Sequence, residues 1–81
     1  MKIKYSPKFK KSICGFSKEI REKFYKQISF LLYNIQHPSL RAKKYNESKD
    51  IWQARVNQSV RFYFLIKNNV YILLDIKKHP K

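Results

Sequence analysis

The residue types best suited to chemistry in this chain are arginine and histidine in its C-terminal half. Arg55 and Arg61 stand in a strand-like, aromatic stretch, "WQARVNQSVRFYFLI", which spans 52–66. Arginine keeps its charge, is seldom buried without a partner, and carries a fork of donors that matches phosphate oxygens. His79 follows the last strand-like segment and can transfer a proton near neutral pH. These residue types predict a site that binds phosphate and moves protons.

The N-terminal half must supply the support for such a site, and its pattern predicts a strand followed by two helices. Charged and apolar residues alternate over 2–5, as in a short strand. Ser6 and Pro7 suit the N-cap and first position of a helix, and Ser17 can cap a second helix that ends before Pro38. The second helix carries an apolar stripe that predicts packing on a sheet: Ile20, Phe24, Ile28, Leu31, Leu32 and Ile35.

The C-terminal half reads as a polar connection, 39–50, followed by three consecutive strands. A short polar link at 57–59 separates the first two strands, and "KNN" at 67–69 favours a hairpin because Asn tolerates positive φ. The order is β-α-α-β-β-β over one domain, 1–81. It predicts an α+β fold, in which a four-stranded antiparallel sheet carries a helical hairpin on one face.

Alternation along the strands assigns the two arginines to the sheet face that no helix covers. The face predicted to pack under the helices carries Trp52, Ala54, Val56, Val60, Phe62, Phe64, Ile72 and Leu74. The opposite face is predicted to carry Arg55, Arg61, Tyr63, Tyr71 and Asp75. Arginine beside tyrosine suits phosphates and bases. The alternative is a solvated face on which Arg61 pairs with Asp75 across the strands.

The charge of the chain points to a polyanionic partner. Nineteen Lys and Arg residues against five Asp and Glu residues give a net charge of +14. Nucleic acid, an acidic membrane surface and an acidic protein are the candidate partners. The connection "LRAKK" offers Arg41, Lys43 and Lys44, and the tail offers His79 and Lys81. In a small domain, both clusters can converge on the open sheet face.

Other residues exclude several classes of protein. Cys14 is the only cysteine, so no internal disulfide forms, which suits a reducing compartment. The sequence starts without a signal-peptide pattern and has no run of about 18 apolar residues, so we expect a cytoplasmic protein without a membrane span. One cysteine and two distant histidines give no ligand cluster, so neither a metal nor another cofactor is predicted.

The stretch "IWQARVNQSVRFYFLI…YILLDIKKHPK" resembles the RelE/ParE superfamily of bacterial type II toxins. The resemblance covers nearly the whole chain: the basic helical hairpin, the "W-x-A-R-V…R-F-Y-F" strand pair and a histidine after the last strand. It implies a RelE-like fold and a cytoplasmic toxin paired with a cognate acidic antitoxin. It also implies that the toxin cleaves mRNA on the ribosome and inhibits translation, as the RelE, YoeB and HigB branches do, without a metal.

The resemblance also implies roles for individual residues. Arg61 would stabilise charge on the reacting phosphate, His79 would transfer a proton, and Lys44 or Glu47 would supply the second proton role. The open face, the basic connection and the tail supply the residues predicted to bind RNA: Arg41, Lys43, Arg55, Tyr63, Tyr71 and Lys81. No glutamate stands at the position of the YoeB-branch general base, and Glu47 is shifted from it. Two alternatives stay open: a ParE-type inhibitor of DNA gyrase, and a non-catalytic basic module that binds nucleic acid or an antitoxin.

Overall fold

Five strands and two helices account for most of residues 1–78, which are the residues that the computed structural model describes. The strands form one mixed sheet in the order β1-β5-β4-β3-β2. Both helices contribute to the hydrophobic core on one face of this sheet. The elements are β1 (Lys2–Tyr5), α1 (Pro7–Ile13), α2 (Lys18–Tyr33), β2 (Lys43–Asn46), β3 (Ile51–Arg55), β4 (Val60–Lys67) and β5 (Val70–Lys78).

Both helices begin where the sequence predicts. The Ser6 hydroxyl accepts a hydrogen bond from the backbone N–H of Phe9, and Pro7 is the first residue of α1. The Ser17 hydroxyl accepts one from the N–H of Ile20. Each cap satisfies a donor that has no partner within the helix, and such a cap contributes about 1 kcal/mol. The helical part of the prediction is therefore confirmed at its start points.

The apolar stripe of α2 is confirmed in its central part only. Phe24, Ile28 and Leu31 are buried in the core. Leu32 is instead 44% exposed, because it lies about 100° around the helix from Leu31. Ile35 lies beyond the end of the helix, although it still packs against the core. Within residues 1–78, neither helix is long and apolar enough to cross a membrane.

Aromatic rings join the helices to the sheet. The Phe24 ring lies 5.0 Å from the Phe9 ring of α1 and 5.3 Å from the Phe62 ring of β4, and it meets Phe62 nearly at a right angle. All three side chains are almost fully buried. Burial of each such ring contributes about 1.5–3 kcal/mol, so this cluster fixes the helical layer on the sheet.

The sheet differs from the predicted four-stranded antiparallel one in two respects. β1 pairs with β5 in parallel, so the sheet is mixed. The connection 39–50, predicted to be irregular, contributes the extra strand β2, which pairs with β3 in antiparallel fashion. The sequence does not indicate this strand, because Lys43 and Lys44 give it a charged start without apolar alternation. Charged residues of this kind are common on exposed edge strands, where they oppose pairing with other chains.

A β-bulge at Leu74 shifts the faces of β5. Tyr63 pairs with Asp75 and Phe64 pairs with Leu73, so Leu74 has no partner on β4. The extra residue reverses the alternation on one side of it. Tyr71 is therefore buried on the core face, 5.6 Å from the Phe64 ring, and its predicted place on the open face is wrong. The prediction is also wrong for Ile72, which pairs with the open-face residue Leu65, and for Leu74 itself.

The two strand connections follow the predicted turn chemistry. Asn68 and Asn69 both adopt positive φ, 50° and 64°, and join β4 to β5. Asn57 shapes the other turn, since its side-chain oxygen accepts hydrogen bonds from the N–H groups of Ser59 and Val60, both at 2.8 Å. Asn favours both arrangements because it tolerates the left-handed region and bonds its own backbone. These turns fix the register of β4 with its neighbours.

Candidate nucleic-acid interface

The open face of the sheet holds a cavity of about 600 Å³. We call it the cationic cavity. Among residues 1–78, seven line it, of which five are Lys or Arg and none is acidic. Such a surface attracts anions and excludes cationic ligands. The residues that line it are Arg41, Lys43, Lys44, Tyr45, Gln53, Arg55 and Arg61.

Arg61 forms the inner wall of the cationic cavity. It lies directly opposite Arg55 in the β3–β4 pair. The residue is only 6% exposed, so it is more deeply buried than the open face predicts. Its Nη1 donates to the carbonyls of Asn57 at 2.7 Å and Gln58 at 3.1 Å. The β3–β4 turn therefore holds the guanidinium in place, as preorganised anion binding requires.

The charge of Arg61 has no carboxylate partner within residues 1–78. The alternative pair with Asp75 is not formed, because Asp75 contacts Lys8 at 3.5 Å and Lys77 at 3.8 Å. Burial lowers the pKa of Arg61, and the nearby charges of Arg55 and Arg41 lower it further. Arginine stays protonated in proteins even so. The cavity consequently presents an uncompensated positive charge, which an anion such as phosphate would relieve.

Arg41 reaches the same cavity from the segment before β2. Its φ is 46°, in the left-handed region that residues with a Cβ rarely adopt. Strained backbone of this kind costs about 1–3 kcal/mol and clusters at functional sites. The neighbouring backbone is fixed to β3, since the N–H of Arg55 donates to the carbonyl of Leu40 at 2.8 Å. The strain at Arg41 is thus held by the surrounding structure.

A buried glutamine, Gln27, ties these segments to α2. It is 2% exposed, and its Nε2 donates to the carbonyls of Ser39 at 3.0 Å and Arg55 at 2.8 Å. Its Oε1 accepts from the Ser39 hydroxyl at 3.3 Å. The sequence analysis missed this residue, because its partners lie 12 and 28 positions away along the chain. A polar residue beside a helix's apolar stripe was the only available indication.

The candidates for proton transfer are placed differently from one another. Lys44 lines the cationic cavity, with its Nζ 5.3 Å from the Trp52 ring, and pairs with Asp50. Glu47 is exposed in the turn between β2 and β3, and it does not line the cavity. This turn is at the opposite end of the hairpin from Arg55. Lys44 pairs with Trp52, which lies on the core face opposite Phe64, so the Lys44 ammonium lies on the other face of the sheet from the arginines. The structure therefore brings neither that ammonium nor Glu47 to Arg61.

The remaining predicted residues divide in the same way. Lys43 pairs with Gln53 across the β2–β3 hairpin and lines the cavity. Tyr63 lies on the open face but outside the cationic cavity. His79 and Lys81 lie outside the described residues. Among residues 1–78, no three His, Cys, Asp or Glu side chains come together as metal ligands would.

A second, more apolar cavity of about 340 Å³ adjoins the first across Tyr45. We call it the aromatic cavity. Tyr45 and Tyr63 meet edge to face there, with ring centroids 4.9 Å apart. Burial raises the pKa of Tyr63, and Tyr45 adds to the effect, so the phenol is neutral near pH 7. The residues that line it are Lys8, Tyr45, Ile51, Tyr63, Leu74, Asp75 and Lys77. The sequence analysis missed Tyr45 because it read 39–50 as a connection.

The fold and the cationic cavity define a small α+β protein whose open sheet face suits a polyanion. Solved structures with the same fold include a toxin and an antitoxin–toxin complex. The YoeB/ParE toxin from Agrobacterium tumefaciens matches 99% of this chain and 100% of its own, with a TM-score of 0.78 and 11% identity. A chain of the RelB–RelE antitoxin–toxin complex from Methanococcus jannaschii matches 93% of this chain and 88% of its own, with a TM-score of 0.76 and 13% identity.

A third solved structure extends this likeness. YafQ from E. coli strain BL21(DE3) matches 95% of this chain and 91% of its own, with a TM-score of 0.79 and 16% identity. No protein-family model matches the sequence, and no curated protein matches it significantly. The chain thus has the fold of the RelE/ParE toxins, and the predicted RelE-like α+β class is confirmed. At these identities the likeness establishes the fold.

Proposed function

We propose that the protein is the toxin of a type II toxin–antitoxin system and acts as a ribosome-dependent, metal-independent mRNA endonuclease that inhibits translation. One observation carries the proposal: the buried guanidinium of Arg61, held by turn carbonyls, faces a cavity whose described lining holds four further Lys and Arg residues and no acidic one. A reacting phosphate develops extra negative charge, and fixed positive donors stabilise it without reorganising. The toxins with the same fold support the assignment.

The proposed reaction is cleavage by the RNA's own 2′-OH. The 2′ oxygen bonds to phosphorus while the bond from phosphorus to the 5′ oxygen breaks. The proton lost from the 2′-OH goes to a base, and an acid delivers a proton to the departing 5′ oxygen. DNA lacks this nucleophile, so the substrate is RNA. The step needs charge stabilisation at the phosphate and two proton transfers, and a metal is not required for either.

Arg61 supplies the charge stabilisation in this proposal, with Arg55 as its positioning partner. Only Nη1 of Arg61 is engaged by contacts within the described part of the chain. Nε and Nη2 are therefore available as a fork for two phosphate oxygens. Arg41 and Lys43 line the same cavity and would hold neighbouring phosphates. The strained backbone of Arg41 helps to fix the direction of approach.

The proton transfers are proposed for His79 and for Lys44 or Glu47. Histidine is the residue type whose unperturbed side chain exchanges a proton near neutral pH, the range in which general acid–base catalysis is most efficient. Lys44 lines the cationic cavity, but its ammonium lies beside Trp52 and pairs with Asp50. It would have to leave Asp50 and turn to the open face to act on substrate. Glu47 would need a movement of the β2–β3 hairpin.

The proposed partners are an acidic antitoxin, the ribosome and mRNA. A cationic cavity on a chain of net charge +14 fits an acidic protein segment as well as RNA. An antitoxin seated there would close the site to RNA. The antitoxin–toxin complex among the solved structures with this fold supports such a partner. We further propose that the protein acts in the cytoplasm, where translation takes place.

Inducible expression in a bacterium tests the proposal directly. Incorporation of labelled methionine and of labelled thymidine should be followed separately after induction. We expect methionine incorporation to stop first. Arg61→Ala should restore it, whereas Arg21→Ala, which removes the same charge from α2, should stay toxic at equal abundance. If thymidine incorporation stops first, the ParE-type inhibition of gyrase replaces our proposal. If neither stops, the protein is a non-catalytic module.

A further inference from the structure

The aromatic cavity has the dimensions and walls of a site for one flat ring. Its volume of about 340 Å³ lies near the lower end of the range of about 300–1,000 Å³ that is usual for small-ligand sites. Tyr45 is 61% exposed and stands over one side, in edge contact with Tyr63. Ile51 and Leu74 add aliphatic surface. Aromatic and aliphatic walls of this kind bind bases by stacking, at about 1–3 kcal/mol per base.

The wall of the cavity also holds a carboxylate, which a phosphate-binding surface would exclude. Asp75 is 7% exposed and is the only buried residue among the five acidic ones. The other four are exposed on helix and hairpin surfaces: Glu19, Glu22, Glu47 and Asp50. An ionised carboxylate repels phosphate but accepts hydrogen bonds from amino groups on base edges.

Asp75 is held in a fixed direction by its neighbours. Its Oδ1 accepts from the N–H of Ile76 at 2.9 Å, and its Oδ2 lies 3.5 Å from the Lys8 ammonium and 3.8 Å from that of Lys77. Hydrogen bonds from Ser12, Ile76 and Lys8 occupy three of the roughly four acceptor positions of the carboxylate, and Lys77 at 3.8 Å is beyond hydrogen-bond distance. One position therefore remains for a ligand. Lys77 also stands 5.8 Å from the centre of the Tyr63 ring. Asp75 is therefore an oriented acceptor beside a stacking surface.

The two cavities meet at Tyr45, which lines both of them. A nucleotide whose phosphate lies among the arginines can consequently place its own or the adjacent base in the aromatic cavity. A cationic peptide side chain fits less well, because Lys8 and Lys77 already occupy the surroundings of Asp75. An acidic peptide side chain would meet the carboxylate itself. A neutral base with an amino group meets neither obstacle.

We propose that the aromatic cavity binds one base of the RNA, stacked against Tyr45 and Tyr63, and that Asp75 selects bases that carry an amino group. The inference rests on the proposed function, since it takes RNA as the ligand of the open face. It goes further by giving the face a base preference. Guanine and cytosine carry such a group on their pairing edge, whereas hypoxanthine and uracil lack it.

Binding of short oligonucleotides tests the base preference without cleavage. Fluorescein-labelled 2′-O-methyl trinucleotides, which lack the attacking hydroxyl, should carry guanine, hypoxanthine, cytosine or uracil at one position. Anisotropy titrations give a Kd for each. We expect guanine to bind about tenfold more tightly than hypoxanthine, and cytosine about tenfold more tightly than uracil, the ratio that one good base contact produces. Asp75→Asn should bring both ratios near one, whereas Glu22→Gln, the matched loss of an exposed carboxylate, should preserve them.

Two further measurements keep the outcome decisive. Tyr45→Ser removes an exposed ring and leaves the core untouched, so this variant should fold. It should lower the affinity for all four probes about tenfold. It therefore tests the site even if Asp75→Asn does not fold. If the four probes bind the wild type with equal affinity, or do not bind it, the base site is overturned. Cleavage of mRNA on ribosomes then shows separately whether the proposed function stands. If the probes show the base preference but the protein cleaves no mRNA on ribosomes, the base site stands and the proposed function is overturned.

Discussion

The side-chain amide of Gln27 donates a hydrogen bond to the backbone carbonyl of Arg55 at 2.8 Å. The same nitrogen donates to the carbonyl of Ser39, two residues before Arg41. One buried side chain of α2 therefore fixes both segments that carry arginines into the cationic cavity. Gln27 does not line that cavity, so it acts on a ligand only through the position of the arginines. It is a positioning residue.

We predict that Gln27→Met lowers RNA cleavage more than it lowers stability. Methionine has a similar length but cannot donate, so the carbonyls of Ser39 and Arg55 each lose a hydrogen bond, at about 0.5–1.5 kcal/mol each. Displaced arginines should raise KM and reduce kcat together, since they would contact the phosphate less well both in the substrate complex and in the transition state. Urea unfolding and cleavage on programmed ribosomes give the two quantities. Gln27→Glu, which keeps shape and acceptors but loses the donor, should show the same division. A cleavage rate that follows only the folded fraction would contradict the positioning role.

We predict that Arg61→Lys cannot replace the arginine. An ammonium is a point charge, and it cannot contact the turn carbonyls and two phosphate oxygens at once. Cleavage should fall at least about tenfold, with a smaller loss of oligonucleotide affinity, because the fork acts mainly on the developing charge. Single-turnover rates on programmed ribosomes measure the effect. Arg21→Lys is the matched control. Full activity of Arg61→Lys would remove the bidentate contact from the mechanism.

The local chemistry of the sequence was sufficient for much of the fold. Ser6 and Ser17 identify the helix starts, and Asn68 with Asn69 identifies the hairpin, because each acts within a few residues of itself. The bulge at Leu74 could not be predicted, since an alternating sequence does not show which residue lacks a cross-strand partner. That single omission placed Tyr71 on the wrong face.

In the candidate site, too, the sequence predicts the residues that follow a local pattern and misses those that depend on distant contacts. Arg41, Lys43 and Arg55 follow from charge and alternation, and the structure brings them together with Arg61. Residues that act through distant contacts were not recognisable, of which Gln27 is the clearest. Its role depends on how α2 crosses the end of β3, which no local pattern records. The burial of Arg61 likewise depends on the turn that folds back over it.

Binding to RNA should weaken steeply with salt. Each phosphate neutralised on a single strand releases counterions and contributes a slope of about −0.7 to log K against log salt. Arg55 lines the cationic cavity, so Arg55→Gln should make this slope shallower by about 0.7, the contribution of one phosphate contact. Arg21→Gln should leave it unchanged. Titrations of a 2′-O-methyl oligonucleotide at several salt concentrations measure both. A slope near zero for the wild type would contradict phosphate binding.

Acid should destabilise the protein through Asp75. Burial alone raises the pKa of this carboxyl, but hydrogen bonds from Ser12 and Ile76 and the charge of Lys8 outweigh it, so the folded pKa lies below its usual range. The resulting stabilisation is complete above the unfolded pKa of about 3.9, and it is lost as the pH falls from there through the folded pKa. Urea unfolding of wild type and Asp75→Asn should therefore converge at low pH. A constant difference over that window would contradict this account.

The last prediction concerns the C-terminal histidine. β5 runs to Lys78, which pairs with Val60, and Lys77 pairs with Arg61. The last described residues of β5 are thus those that pair with the start of β4. His79 lies outside the described residues, and its role in proton transfer stays a prediction from the sequence. We predict that deletion of 79–81 abolishes cleavage, while antitoxin binding and the melting temperature stay close to those of the wild type.

His79→Gln should abolish cleavage nearly as well, because glutamine keeps hydrogen bonding but exchanges no proton near neutral pH. The general acid–base contribution at stake is typically about 10²–10⁴-fold in rate. Lys81→Ala is the control, since it changes the tail and its charge without touching the imidazole. Single-turnover cleavage on programmed ribosomes should be followed across pH 5–8. Undiminished cleavage by His79→Gln would remove this residue from the mechanism and transfer the proton chemistry to Lys44 or Glu47.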